Sequence, residues 1–408
     1  MNELLINKYA ELIIKSGVNL QPNQGLMIRA SIEAAPLVRA LTKVAYEVGA
    51  SKVLVDYDDD EISKIKIQYG TMESFLAPNY IVDKYHYLVD NNYARVSIAC
   101  NNPNAFDGLS LKKVQEARMK DAPKLRFFGE HYGNNFTQWC VCGYPEKNWA
   151  NLVFPNQENA YELLADAIFK ASHVELDNNP IEVWNELNKQ FLARNEILKN
   201  YRFESLHFEN SLGTDLTVGL IKNHIWAGGG EFTKGGIYFN PNIPTEENFT
   251  MPDCHRINGI VYASKPLDGG GRLIKDFYLK FKDGKVVEYN AKENSEALKE
   301  IIEFDEGSSS LGEVAIVPYY SPISLSNILF YETLYDENAS CHLALGAAYI
   351  DSNLKDGLKY SIEELKQMGC NISNTHVDFM FGTKDMKITG IKSDGTRVVI
   401  YQDGKYLI

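Results

Sequence analysis

Over roughly its first 185 residues the chain alternates helix-like and strand-like segments, and this constrains the fold more than any other feature of the sequence. Leu4, Leu5, Tyr9, Leu12 and Ile13 recur at helical spacing and predict an opening amphipathic helix. Ile32 to Val48, rich in alanine, predicts a second helix closed by Gly49-Ala50. Lys52 to Tyr57 reads as a buried strand, followed by the acidic run Asp58-Asp59-Asp60-Glu61, best read as a solvated helix start. Val96 to Cys100 and Trp139 to Gly143 are further short apolar strands. Helical patterns over Leu111 to Lys120 and Asn159 to Ala171 fit βα crossovers and a mainly parallel sheet.

Leu176-Asp177-Asn178-Asn179-Pro180 marks the expected boundary, followed by one long amphipathic helix, Ile181 to Tyr201. Beyond it the texture turns to strands and turns. Asp215 to Leu220 alternates, and Leu279 to Lys282 meets Asp283-Gly284 and then Lys285-Val286-Val287, a hairpin signal. The expected architecture is an N-terminal α/β domain over 1–180 with a mainly parallel sheet. A C-terminal α+β catalytic domain over 181–408, with a mixed or antiparallel sheet, follows it. Glycines at 228–230, 235–236 and 269–271 lack the order of a nucleotide-binding fingerprint and read as tight turns or close backbone approaches.

A formal net charge of -13 disfavours nucleic acid and anionic membranes as partners and leaves carboxylates for cations. The N-terminus reads as no signal peptide, and no apolar run is long enough to span a bilayer. Six cysteines, at 100, 140, 142, 254, 341 and 370, show no repeated Cys-x-x-Cys, so reduced thiols of a cytoplasmic protein are expected.

Four segments of the second half could carry chemistry. Glu246 and Glu247 sit in the proline-flanked stretch Asn242 to Thr250, a frame that would hold a ligand still. Glu313 opens an apolar strand after Gly312, where an unpaired carboxylate is costly. Asp336, Glu337 and His342 lie among small residues. In Thr375-His376-Val377-Asp378-Phe379 the alternation puts His376 and Asp378 on one strand face. Each segment alone has a bland explanation, such as a solvated glutamate or a His-Asp pair in a core. Together, carboxylates with only two imidazoles suit a pair of divalent ions sharing a carboxylate, a hydrolase kit, better than one structural zinc. His-Glu-x-x-His and Gly-x-Ser-x-Gly are both missing, which excludes zincin-type proteases and disfavours serine hydrolases. Cys254-His255 and Cys341-His342 are adjacent pairs whose side chains should diverge, so a cysteine nucleophile ranks below the metal reading.

At Asn242 to Glu247, Leu311 to Ala315, Asp336 to Gly346 and His376 to Met380, and again over Gly213 to Leu220, the chain resembles the aminopeptidase T, aminopeptidase S and PepS family of metallo-aminopeptidases. Length and motif order fit over the whole chain. The resemblance implies an exopeptidase that acts on small peptides with two divalent ions, from among Zn, Co, Mn and Mg. It implies Glu247, Glu313, Glu337, His342, His376 and Asp378 as ligands, with Glu313 bridging. Tyr349 would stabilise the oxyanion or pass a proton, and would share a face with His342 if the segment between them is helical. The resemblance further implies a homodimer in which the N-terminal domain walls the active site and filters substrates by size. Asn248, in place of an apolar residue, and Cys254-His255-Arg256 depart from the pattern. His255 is expected on a loop, away from the metals. Glu246 is left between a supporting contact, the substrate ammonium and a base. Another dinuclear hydrolase, for an amide or a phosphoester, and a non-catalytic peptide-binding relative are the alternatives. None of the four motifs carries the Arg or Lys that phosphoester sites use.

Overall fold

The computed structural model describes residues 2–269 and 272–408, so Gly270 and Gly271 of the third glycine cluster lie outside it. The chain forms two compact units, residues 1–186 with 230–244, and residues 187–229 with 245–408.

The first unit alternates helices and strands as the periodicity predicts: α1 Glu3–Leu12, β1 Gly25–Ser31, α2 Ala35–Glu47, β2 Lys52–Asp58, α3 Asp60–Tyr69, α4 Asn79–Asp90, β3 Ala94–Ala99, α5 Lys112–Gly133, β4 Trp139–Gly143, α6 Lys147–Val153 and α7 Ala160–Ala171. Short strands β7 Glu231–Phe232, β8 Tyr238–Phe239 and β9 Asn242–Ile243 return to it later in the chain. Its sheet runs β2-β1-β3-β4-β9 and is parallel throughout. The middle strands bury Leu26, Ile28, Val96, Ile98, Cys140 and Cys142. β2, expected to be buried, is instead the edge strand, with every residue exposed or half-buried. β1 lies one strand further in, next to the central β3, and its buried apolar run is interrupted by the exposed Arg29, which turns outward to Asp58 at 2.8 Å. The acidic run does start a helix: Asp59 caps α3 by accepting from the amides of Glu61 and Ile62. α5 passes through Pro123 and runs 13 residues beyond the expected end at Lys120.

α8, Pro180–Tyr201, leads into the second unit. There β5 Ser205–Glu209, β6 Asp215–Leu220, β11 Pro252–Tyr262, β12 Leu267–Asp268, β13 Leu273–Lys282, β14 Lys285–Glu293, β18 Lys387–Ile391, β19 Arg397–Gln402 and β20 Lys405–Tyr406 make one antiparallel sheet. Asp283 and Gly284 turn the β13–β14 hairpin with φ of 49° and 86°, as the Asp-Gly signal predicts. A second antiparallel sheet, β10-β15-β16-β17, joins β10 Asn248–Thr250, β15 Leu311–Ile316, β16 His342–Gly346 and β17 His376–Met380. All four expected chemical segments contribute a strand to this small sheet or adjoin one. One of its faces sends Val314, Ile316, Leu343, Leu345 and Phe379 into a core shared with Leu206, Phe208, Val218, Ile257 and Leu279 of the larger sheet. That leaves the other face for polar side chains.

Candidate metal centre

Side chains alternate across a strand, so a strand with one face in the core presents its remaining residues together. Register then decides which of them meet. Glu313 of β15 is opposite Ala344 of β16, and Ala344 is opposite Asp378 of β17. Two residues along, Ala315, His342 and Met380 form the next row on the same face, and Gly346 faces His376. Glu313, His342, His376 and Asp378 therefore share the face opposite the core. Ala344 between Glu313 and Asp378 is only a methyl group, which leaves space between two carboxylates set two strands, about 10 Å, apart at the backbone.

Two glycines permit this close weave. A Cβ on Gly312 would fall 2.3 Å from the carbonyl oxygens of Ala347 and Gly346. Gly346 has a φ of 104°, and its Cβ would fall 2.1 Å from Thr375 O. Glu247 enters one residue before β10, whose first pair is Asn248 with Ile316. Gly228 approaches it closely enough that a Cβ there would meet Glu247 O at 2.1 Å, in accord with the reading of the 228–230 cluster.

His342 Nε2 lies 3.0 Å from Glu247 Oε2 and 3.5 Å from Glu313 Oε1. His376 Nε2 lies 3.6 Å from Glu313 Oε2 and 3.3 Å from Asp378 Oδ1. Glu247, Glu313 and His342 form one potential ligand group, and Glu313, His376 and Asp378 another, each with its ligand atoms within 4.8 Å of one another. Glu313 is common to both, one oxygen toward each histidine. Each Nδ1 is held by a main-chain carbonyl, His342 by Ser340 O at 3.2 Å and His376 by Ala347 O at 2.7 Å. This puts the proton on Nδ1 and leaves Nε2 free to bind a cation.

Glu337, on the 3-10 turn Glu337–Ala339, is outside both groups. Its carboxyl is nevertheless held well above the usual range, by burial first and then by the charges of Glu247 and Asp378. Tyr349 is not on a helix with His342, because that segment is β16 and Tyr349 precedes the short helix Ile350–Asn353. It still reaches the site: its ring centroid is 4.7 Å from that of His376. The ring is 47% exposed, yet burial of its inner part, followed by Glu313 and Asp378, raises the phenol. Glu246 is buried, and its amide donates to Asn338 Oδ1 at 2.7 Å. His255 is on strand β11 rather than a loop, and is exposed. Cys341 turns to Val317, and burial raises its thiol to about 11, as it does that of Cys254, which suits neither as a nucleophile.

The electrostatics describe a site built for positive charge. Burial, together with Glu247 and Asp378, pushes Glu313 up to about 7 despite its contact with His342. Burial works against charge on both histidines, but Asp378 and Glu313 raise His376 to about 9, and Glu247 and Glu313 raise His342 well above its ordinary value. Glu247 Oε2 is buried, and its one close polar neighbour among the described residues is His342 Nε2 at 3.0 Å. A buried carboxylate oxygen with so little hydrogen bonding is costly unless a cation takes it. Oxygen donors in excess, two imidazoles and a shared carboxylate fit two divalent ions. Asn338, Ala344 and the carbonyls of Ser340 and Ala347 were not evident in the sequence, because only sheet register and chain reversal bring them to the site.

A buried centre of this composition on an antiparallel sheet defines a metallohydrolase. The chain belongs to the thermophilic metalloprotease family M29, whose model matches residues 2–406. It is 40% identical over 404 residues to aminopeptidase AmpS of Bacillus subtilis (strain 168), covering 98% of each chain. It is 40% identical over 404 residues to aminopeptidase 2 of Geobacillus stearothermophilus, covering 98% of this chain and 97% of that one. The solved structure of wild-type AmpT from Thermus thermophilus superposes with a TM-score of 0.91 at 36% identity, covering 99% of both chains.

Proposed function

We propose that this protein is a metal-dependent aminopeptidase that removes N-terminal residues from small peptides, with two divalent ions held by Glu247, Glu313, Glu337, His342, His376 and Asp378. The observation that carries this reading is Glu313, shared by two ligand groups in a family of metalloproteases. Ions held there would polarise the scissile carbonyl and acidify a water. The chain's own groups do the rest. Glu247 with His342, and His376 with Asp378, define two adjacent cation positions, and Glu313 spaces them. The carbonyls of Ser340 and Ala347 keep both imidazoles in one tautomer. Tyr349, like any phenol, carries its proton at neutral pH, and burial with the nearby carboxylates raises its pKa further from that range, so it can donate to the oxygen that gains charge as the carbonyl is attacked.

Zn, Co, Mn and Mg all suit this donor set, and supply decides among them. A cytoplasmic homodimer is part of the same reading. It is supported by the resemblance alone. Light scattering on the purified protein would measure the oligomeric state.

The central test strips the protein with chelator and assays leucyl and other aminoacyl p-nitroanilides with Co, Zn or Mn added back. Metal-dependent release of nitroaniline is expected. Phosphoesterase activity in its place would refute the aminopeptidase reading.

A further inference from the structure

Because Glu247 is one residue outside the β10–β15 ladder, no ladder hydrogen bond fixes it. The next residue, Asn248, is on the opposite face of the sheet, toward the core, and is wholly buried. A buried amide there is costly unless every hydrogen-bonding group is used. All are. Asn248 Nδ2 donates to Asn195 Oδ1 of α8 at 2.7 Å and to Phe191 O at 3.4 Å. Its Oδ1 accepts from the Tyr406 hydroxyl at 3.0 Å. That hydroxyl also lies 2.8 Å from Ile316 O, so its single hydrogen is shared between the amide and β15. Arg194 covers the Tyr406 ring at 4.7 Å. Asn195 Nδ2 in turn reaches Gly228 O at 3.3 Å, and Gly228 packs on Glu247 O.

From this network we infer that Asn248, Asn195 and Tyr406 are positioning residues for the metal centre. They tie the first residue of β10 to α8 and to the C-terminal strand β20, beside the Phe249–Ala227 main-chain pair, and so set the aim of the Glu247 carboxylate. The inference rests on the metal reading above. It goes further in tying one of the two cation positions, the one formed by Glu247, Glu313 and His342, to a tyrosine two residues from the end of the chain. The position formed by Glu313, His376 and Asp378 meets this clamp only through β15, the strand that carries the shared Glu313.

Stepwise Co(II) titration of the metal-free protein, followed by d–d absorption, tests this. Supporting shells of this kind change metal affinity by roughly 10- to 100-fold. Tyr406→Phe is expected to weaken one of two Co(II) binding steps at least about tenfold and leave the other in place. Asn195→Ala, on a helix flank where folding is least at risk, is expected to weaken the same step. Tyr132→Phe, which deletes a buried hydroxyl donating to Tyr93 O in the first unit, serves as control and is expected to move neither step. Equal weakening of both steps, unchanged titrations for Tyr406→Phe and Asn195→Ala, or an equal effect of the control would overturn the inference. If the unaltered protein bound no Co(II), the metal reading itself would fail, which is a separate outcome.

Discussion

Glu313 carries more of the proposed chemistry than any other side chain, since each of its oxygens faces a different histidine. Glu313→Gln keeps its shape but removes the charge proposed to bridge two cations. The expected result is loss of bound metal, measured by atomic emission, and a fall in activity of at least about 100-fold. Unchanged metal content would remove Glu313 from the ligand set. Tyr349→Phe is expected to keep its metal while kcat falls by about 10²- to 10³-fold, the usual loss of one oxyanion donor. Asp305 acts at a distance. Burial opposes its charge, but the Asn374 amide, the Ser373 hydroxyl and the amides of Ser308 and Gly307 lower its pKa, linking the loop before β15 to the loop before β17. Because its folded pKa lies below the unfolded value of about 3.9, its contribution is full above that value and fades as pH falls through the folded pKa. Asp305→Asn should therefore cost about 1–2 kcal/mol at pH 7 and progressively less below about pH 4, as read by urea unfolding. A cost that persists undiminished in acid would show that the charge is not its source.

At the scale of elements, the centre depends on how closely β15, β16 and β17 approach. Gly312 and Gly346 allow the weave, and Ala344 keeps its middle open. Ala344→Val would add two methyl groups between Glu313 and Asp378 on the ligand face while leaving the core face untouched. The expected outcome is a folded protein, with its circular dichroism unchanged, that no longer retains two ions. Normal metal content would mean that the ions lie elsewhere. Asn371 braces the same weave from one end, with its Nδ2 near the carbonyls of Gly307, Ser310 and Gly346 at 2.9, 3.1 and 2.7 Å. Two hydrogens shared by three acceptors draw the loops that flank β15, β16 and β17 together.

At the scale of the molecule, the six proposed ligands all belong to the second compact unit, which also contains the core beneath their sheet. Gathering Glu247, Glu313, Glu337 and Asp378 without cations costs folding energy, and a bound ion returns it. Metal should therefore stabilise the protein by about 2.7 kcal/mol at one hundred times its dissociation constant. Hydrogen exchange should locate the gain in residues 187–229 and 245–408. Equal protection of both units on metal addition would contradict this placement.

Much of this organisation could be read from residues alone, where local chemistry dictates it. Helical spacing in α1, the helix start at the acidic run 58–61, the Asp283-Gly284 turn and the His376/Asp378 alternation are local, and the structure contains each of them. The edge position of β2 and the inner one of β1 are not local, because neighbours decide burial. The return of 230–244 to the first unit depends likewise on β9 finding β4, about a hundred residues earlier in sequence. Tyr349 comes near His376 through β16 and a turn, not through the helical spacing that sequence suggested. Which residues can bind a cation follows from their side chains, and is written in the sequence. That Glu313 faces both histidines, that Ala344 leaves space, and that Tyr406 reaches Asn248 follow from strand register and distant packing, which only the tertiary fold decides.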